Sequence, residues 1–285
     1  MTVRDALGNP GDKPALSFEF FPPKDASGEE SLWRAFDRLL EYSPSAVSVT
    51  YGAGGSNQER TLAVVDRMAP LVPTIGHLTC VNSSRHQIEA IIRRFEDSGV
   101  AGILALRGDA PKDQQPDQVS GDFKTAIELI DVARAVSNLD VGVAAFPEVH
   151  PESPNLAHDA RVLKLKQDAG ASFAITQLFF DAEAYWGLRS AALEAGADLP
   201  ITPGLMPINN AKQVLRMAEM SGAKVPAKLV AQLEGASDEH ARRIGMDFTI
   251  DLGRQLLEKG APGLHIFTLN QSVAAIELAK GVGLA

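Results

Sequence analysis

One carboxylate stands in an otherwise apolar, aromatic run, Ser17-Phe-Glu-Phe-Phe-Pro-Pro-Lys24. Burial among aromatic rings strips water from Glu19 and favours the neutral acid over the carboxylate. A carboxylic acid held neutral near pH 7 can donate a proton, which is the work of a general acid. The same surroundings also suit a carboxylate paired with a basic side chain inside the fold.

A second cluster is Ala105-Leu-Arg-Gly-Asp109. Arg107 and Asp109 offer opposite charges around Gly108, where the backbone can come close to a ligand. A carboxylate here could stabilise a cation that develops in a substrate, or the pair could close a loop as a salt bridge. The third is Ala145-Phe-Pro-Glu-Val-His-Pro-Glu152. His150 lies between Glu148 and Glu152, but no second histidine stands at ligand spacing, so a stiff binding wall is favoured over a metal site. Tyr51-Gly-Ala-Gly-Gly-Ser56 resembles a phosphate-binding loop, yet it lacks the dinucleotide fingerprint and the P-loop lysine. A plain turn fits it equally well. Gln177 would offer a paired amide donor and acceptor to the edge of a heterocycle. His77 could face a ligand or be a satisfied structural histidine. Cys80, the only cysteine, reads as a small core residue rather than a nucleophile.

These residues need elements to hold them. Eight short apolar runs recur along the chain: Ala15–Phe20, Ala46–Thr50, Thr74–Thr79, Gly102–Leu106, Val141–Phe146, Phe173–Gln177, Leu199–Thr202 and Leu264–Thr268. They are too short for core helices and read as buried parallel strands. Amphipathic stretches separate them. Leu32, Phe36, Leu39 and Leu40 form one stripe. Ile88, Ile91, Ile92 and Phe95 form another, opened by a capping box at Ser84 and Gln87 and closed by Gly99. Val214, Leu215, Met217 and Ala218 form a third. Val225–Gly260 is too long for one helix and breaks near Gly235–Asp238, which predicts an extra helix before the last strand. Strands alternating with helices predict an α/β fold with a parallel sheet. A (β/α)8 TIM barrel, one domain over residues 1–285, is favoured over a doubly wound sheet. The polar candidates sit at strand C-terminal ends, and a closed barrel gathers those ends into one mouth. Thr50, Tyr51, Thr79 and Asn270 share that position.

Composition narrows the function further. A net charge of −9 over 285 residues argues against a nucleic-acid or membrane-surface partner. A single cysteine forbids an intrachain disulfide and predicts a reducing, cytoplasmic setting. The opening segment carries an early acid and no long apolar run, which predicts no secretory signal. No stretch reaches the roughly 18 apolar residues of a membrane helix.

The blocks SFEFFPP, VSVTYGA, HLTC, ALRGD, AAFPEVHPE, AITQLFFD, ITPGLMPI and FTLN fall in order from residue 17 to residue 270. Together they resemble methylenetetrahydrofolate reductase in its short bacterial form. The resemblance implies reduction of 5,10-methylenetetrahydrofolate to 5-methyltetrahydrofolate with NADH or NADPH as electron source. It implies Glu19 as the acid that opens the bridging methylene group to an iminium. Asp109 matches the acid that favours that cation, and Gln177 the glutamine on the pterin edge. Phe21, Thr50, Tyr51, His77 and Arg107 would line the folate side. Phe146, His150, Asp159, Lys166 and Phe267 would face the cofactor. The usual family member passes hydride through FAD, but this chain departs from the family on that side. Phe146 and Phe267 stand where tyrosine is common, and no tyrosine occupies the Val119–Ser120 region. Val162 and Leu165 replace polar and basic contacts, Ala211 an aromatic, and Gln271 an arginine. Exchanging a basic contact for leucine removes a charge-assisted hydrogen bond of about 1.5–3 kcal/mol. These departures point to direct hydride transfer without flavin. A tetrahydrofolate-dependent methyl transfer or demethylation, and a non-catalytic folate-binding protein, are the rival functions.

Overall fold

Strands that are apolar on both faces must be covered on both sides, and the chain solves this by closing its sheet. A computed structural model describes residues 2–8, 11, 13–51, 55–109 and 121–285. Its strands are β1 (Ala15–Phe20), β2 (Ala46–Val49), β3 (Thr74–Thr79), β4 (Gly102–Leu106), β5 (Asp140–Ala145), β6 (Phe173–Thr176), β7 (Ile201–Thr202), β8 (Gly204–Leu205) and β9 (Gly263–Phe267). All pair in parallel, in the order β7-β6-β5-β4-β3-β2-β1-β9-β8. The two edges of that order are successive pieces of one line of chain, so the sheet closes into a barrel.

The seventh strand differs from expectation. Instead of one run over Leu199–Thr202, two short pieces flank Pro203, one pairing with β6 and the other with β9. Proline has no N–H for a ladder, although the Pro203 carbonyl still accepts from the His265 amide at 2.9 Å. Nine strands are therefore found among the described residues where eight were expected.

The helices are α1 (Val3–Gly8), α2 (Ala26–Leu40), α3 (Gly55–Met68), α4 (Arg85–Asp97), α5 (Ala126–Val136), α6 (Leu156–Asp168), α7 (Ala182–Glu194), α8 (Ala211–Ser221), α9 (Ala227–Glu234), α10 (Asp238–Glu258) and α11 (Ser272–Gly281). Since α9 and α10 divide Val225–Gly260 near Gly235, the extra helix is present. Ahead of α4, the Ser84 hydroxyl accepts from the Gln87 amide at 3.3 Å, and Gln87 Oε1 accepts from the Ser84 amide at 2.8 Å. Gly99, at φ +74°, follows the end of that helix. Ser84→Ala should lower stability by about 1 kcal/mol, read from the midpoint of urea unfolding. On α8, Val214 and Ala218 are buried but Leu215 is exposed, so the apolar face is narrower than its sequence stripe.

Side chains alternate across the wall. Leu16, Phe18, Phe20, Val47, Val49, Ile103, Val141, Val143, Leu264 and Ile266 point outward into the main core beneath the helices. Ala15, Ala46, Ile75, Leu104 and Phe173 point inward at the base, where Val3 and Leu7 of α1 plug the barrel. Asp140 holds that plug, accepting the Val3 and Arg4 amides at 2.5 and 3.3 Å, a carboxylate at a helix N-terminus. No described helix is long and apolar enough to cross a membrane.

Candidate active site

Above the apolar base the lumen turns polar. Ser17 and Glu19 of β1 share the inward face with Ser48 of β2, His77 of β3 and His265 of β9, and all five are buried. Glu19, 8% exposed, places Oε2 3.5 Å from His77 Nε2 and 3.6 Å from His265 Nε2. His265 is anchored by contacts of 2.8 Å from Nδ1 to the Ser17 hydroxyl and 3.3 Å from Nε2 to the Ser48 hydroxyl. Among the described residues His77 Nε2 has no hydrogen-bond partner. Burial lowers the His77 imidazole, against the pull of the Glu19 carboxylate, and His265 adds to the lowering. His77 is therefore neutral at pH 7.

The loop after β9 ties down the backbone beside Glu19. The Thr268 hydroxyl donates to the Glu19 carbonyl at 2.6 Å. Asn270 accepts the Phe21 amide and donates to the Phe21 carbonyl, both at 2.9 Å. Leu269 and Asn270 adopt left-handed φ values of 52° and 56° to make this clamp, a conformation that asparagine tolerates better than most residues. Phe267, the register partner of Glu19, stands edge-on to His265 at 5.6 Å.

On the β4–β5 side the Asp109 charge acts on Arg107, but the hydrogen-bonded partner of Arg107 is another carboxylate. Arg107 forms a two-pronged pair with Glu152, at 2.6 and 2.8 Å, across two loops. That bonding raises the guanidinium further and holds Glu152 below the usual carboxylate range. Asp109 is exposed. Gly108 makes the turn at φ +82°, where an added Cβ would come within 2.8 Å of Val81 and 2.9 Å of Thr79; only glycine fits there.

The three acid-base groups of the β5–α6 loop part company. The Glu148 carboxylate accepts the Lys224 amide at 2.7 Å, and burial raises its pKa. His150 Nδ1 accepts the Glu152 amide at 3.0 Å. Val149 between them has φ +72°, strain of about 1–3 kcal/mol for a β-branched residue. Among the described residues no group of three His, Cys, Asp or Glu side chains could hold a metal. Phe146 packs edge-on against His150 at 4.6 Å. Asp159 accepts the His150 amide at 2.8 Å and the Ser153 hydroxyl. Lys166 turns its ammonium to the Ala144 carbonyl at 3.4 Å, and burial lowers it to about 8 despite Asp159. Val162 is partly buried, and Leu165 is 54% exposed.

Gln177 follows β6, its Oε1 accepting the Leu178 amide at 2.8 Å. Thr50 is tied to β1 through its amide and the Phe20 carbonyl at 3.0 Å. The Tyr51 phenol is pushed up to about 12 by burial. Cys80 is buried and its thiol is pushed up to about 11, as a core residue rather than a nucleophile should be. Gly52–Gly54 and Val119–Ser120 lie outside the described residues. Reading the sequence alone missed His265, Ser17, Ser48 and Thr268 as parts of this cluster. The available signal was period two: Ser17 with Glu19, Ser48 with Thr50 and His265 with Phe267 put polar or functional groups on alternate positions of strands otherwise apolar.

The family model described as methylenetetrahydrofolate reductase matches residues 4–283. A 5,10-methylenetetrahydrofolate reductase from Pectobacterium carotovorum is 36% identical over 94% of this chain and 90% of its own length. Methylenetetrahydrofolate reductase (NADH) 1 from Arabidopsis thaliana is 38% identical over 95% of this chain, which spans 48% of the plant protein. Among solved structures, a Coxiella burnetii dihydropteroate synthase in complex with pteroic acid superposes with TM-score 0.52 at 13% identity, covering 95% of this chain and 93% of that one. That last likeness is one of barrel fold alone. A family model that matches nearly end to end, and a relative 36% identical over most of both chains, lead to one assignment: the chain belongs to the methylenetetrahydrofolate reductase family.

Proposed function

We propose that this chain reduces 5,10-methylenetetrahydrofolate to 5-methyltetrahydrofolate by taking hydride directly from NADH within one ternary complex. The observation that carries the reading is the placement of Glu19, buried on the inward face near the barrel mouth with both imidazoles at one oxygen. Glu19 donates its proton to the amine of the bridging methylene group. The carbon–nitrogen bond opens and leaves an iminium cation. Hydride from the nicotinamide adds to the iminium carbon, which becomes the methyl group. The Asp109 carboxylate favours the cation electrostatically. Gln177, whose Oε1 is engaged by the Leu178 amide, presents its amide N–H groups to the pterin edge. NADH is the donor that the plant relative's name carries.

Among the described residues, the donor set does not suit the diphosphate of a flavin. Both guanidinium prongs of Arg107 are spent on Glu152. Lys166 points into the wall at Ala144. Exposed Leu165 supplies no donor. Initial rates of NADH oxidation measured against both substrates should give intersecting lines, the signature of a ternary complex. Parallel lines with a stoichiometric yellow chromophore in purified protein would overturn direct transfer. Absence of NADH oxidation with methylenetetrahydrofolate would favour methyl transfer or simple folate binding instead.

A further inference from the structure

We infer that His265 is a positioning residue for the proton transfer: it sets which oxygen of Glu19 carries the proton and stabilises the carboxylate left behind. The inference rests on Glu19 being the acid, as proposed above.

A neutral imidazole has one N–H and one lone pair, and its neighbours decide which nitrogen holds which. Ser17 has one hydroxyl proton and two acceptors in reach, His265 Nδ1 at 2.8 Å and the Leu264 carbonyl at 3.4 Å. The shorter contact takes the proton. His265 then carries its own hydrogen at Nε2, facing the Ser48 hydroxyl at 3.3 Å and Glu19 Oε2 at 3.6 Å. His77 approaches the same Oε2 from the other side at 3.5 Å. Among the described residues, both ion-pair contacts of Glu19 fall on Oε2 and none falls on Oε1. An oxygen facing an N–H is a poor seat for a second hydrogen, so the acidic proton sits on Oε1. When that proton leaves for the substrate, negative charge develops at the carboxyl. The Nε2–H, 3.6 Å from Oε2 and outside hydrogen-bond range at rest, is then drawn into a charge-assisted hydrogen bond. An interaction that strengthens as the reaction proceeds raises kcat rather than tightening substrate binding. Among the described residues the titratable groups facing Glu19 are His77 from β3 and His265 from β9, while β1 and β2 add hydroxyls.

Two substitutions of similar bulk separate positioning from mere packing. Asparagine can imitate Nδ1 but does not reach Glu19, whereas glutamine returns an N–H near Nε2. His265→Asn should lower kcat about ten- to hundredfold with KM for the folate within a few-fold. Loss of a donor to the carboxylate should move the alkaline limb of the kcat–pH profile to higher pH. His265→Gln should recover most of both losses. In a Glu19→Gln background, His265→Asn should cost nothing further. Equal impairment by asparagine and glutamine, or an unmoved alkaline limb, overturns the inference. If His265→Asn does not fold by circular dichroism, Ser17→Ala replaces it, and an unchanged pH profile there overturns the inference as well. Full activity in Glu19→Gln alone would instead remove the acid assignment, an outcome separate from the others.

Discussion

Glu19→Gln should give a folded protein that binds folate and consumes almost no NADH. Removing a general acid typically costs about 10²–10⁴ in rate, and the amide has no proton acidic enough to open the methylene bridge. The substitution keeps size and polarity at a site only 8% exposed, and the amide can still face His77 and His265. Stability and folate affinity should therefore change little. Turnover with methylenetetrahydrofolate measures the first effect, and equilibrium binding of 5-methyltetrahydrofolate the second. Loss of both together would mean that Glu19 shapes the pocket rather than supplying a proton. Wild-type turnover would remove it from the chemistry.

Gly263→Ala should produce the largest loss of stability by a single methyl. A Cβ at Gly263 would sit 2.2 Å from the Ala15 carbonyl oxygen and 2.6 Å from the Ala15 amide nitrogen. Those atoms are backbone, so no rotamer relieves the clash, and β1 must part from β9. Overpacking usually costs about 1–3 kcal/mol, and a rigid neighbour places this case at the top or beyond. For a domain of this size, about 3 kcal/mol corresponds to a fall in Tm of roughly 6–12 °C. Ser17 pairs with His265 and Glu19 with Phe267 along the same two strands, so activity should fall well below the new Tm. Calorimetry that finds Tm unchanged within a degree would show that the seam can widen freely.

How much of this was legible depends on the range of each interaction. The Ser84–Gln87 box was readable because its partners lie three residues apart. The strands were readable because burial on both faces leaves a continuous apolar run. Closure as a barrel followed from polar residues gathering at strand ends. The α1 plug was not readable: a six-residue helix shows little periodicity, and its anchor Asp140 lies 137 residues away from Val3. The Glu152 partner of Arg107 was not readable for the same reason, since it is 45 residues distant. His265 reaches Ser17 over 248 residues. A lone histidine in a β-strand carries no mark of such a partner until the sheet closes.

Because adjacent residues of one strand face opposite sides of the wall, this chain keeps its two obligations on separate surfaces. On β1, Phe18 and Phe20 belong to the shell that holds the molecule together, while Ser17 and Glu19 belong to the lumen. Sequence change above the apolar base can therefore rewrite reactivity while the shell stays intact. One residue along, the same kind of change would endanger the scaffold and leave the reagents untouched. A lineage exploring new hydride donors could draw on the first set of positions without spending the second.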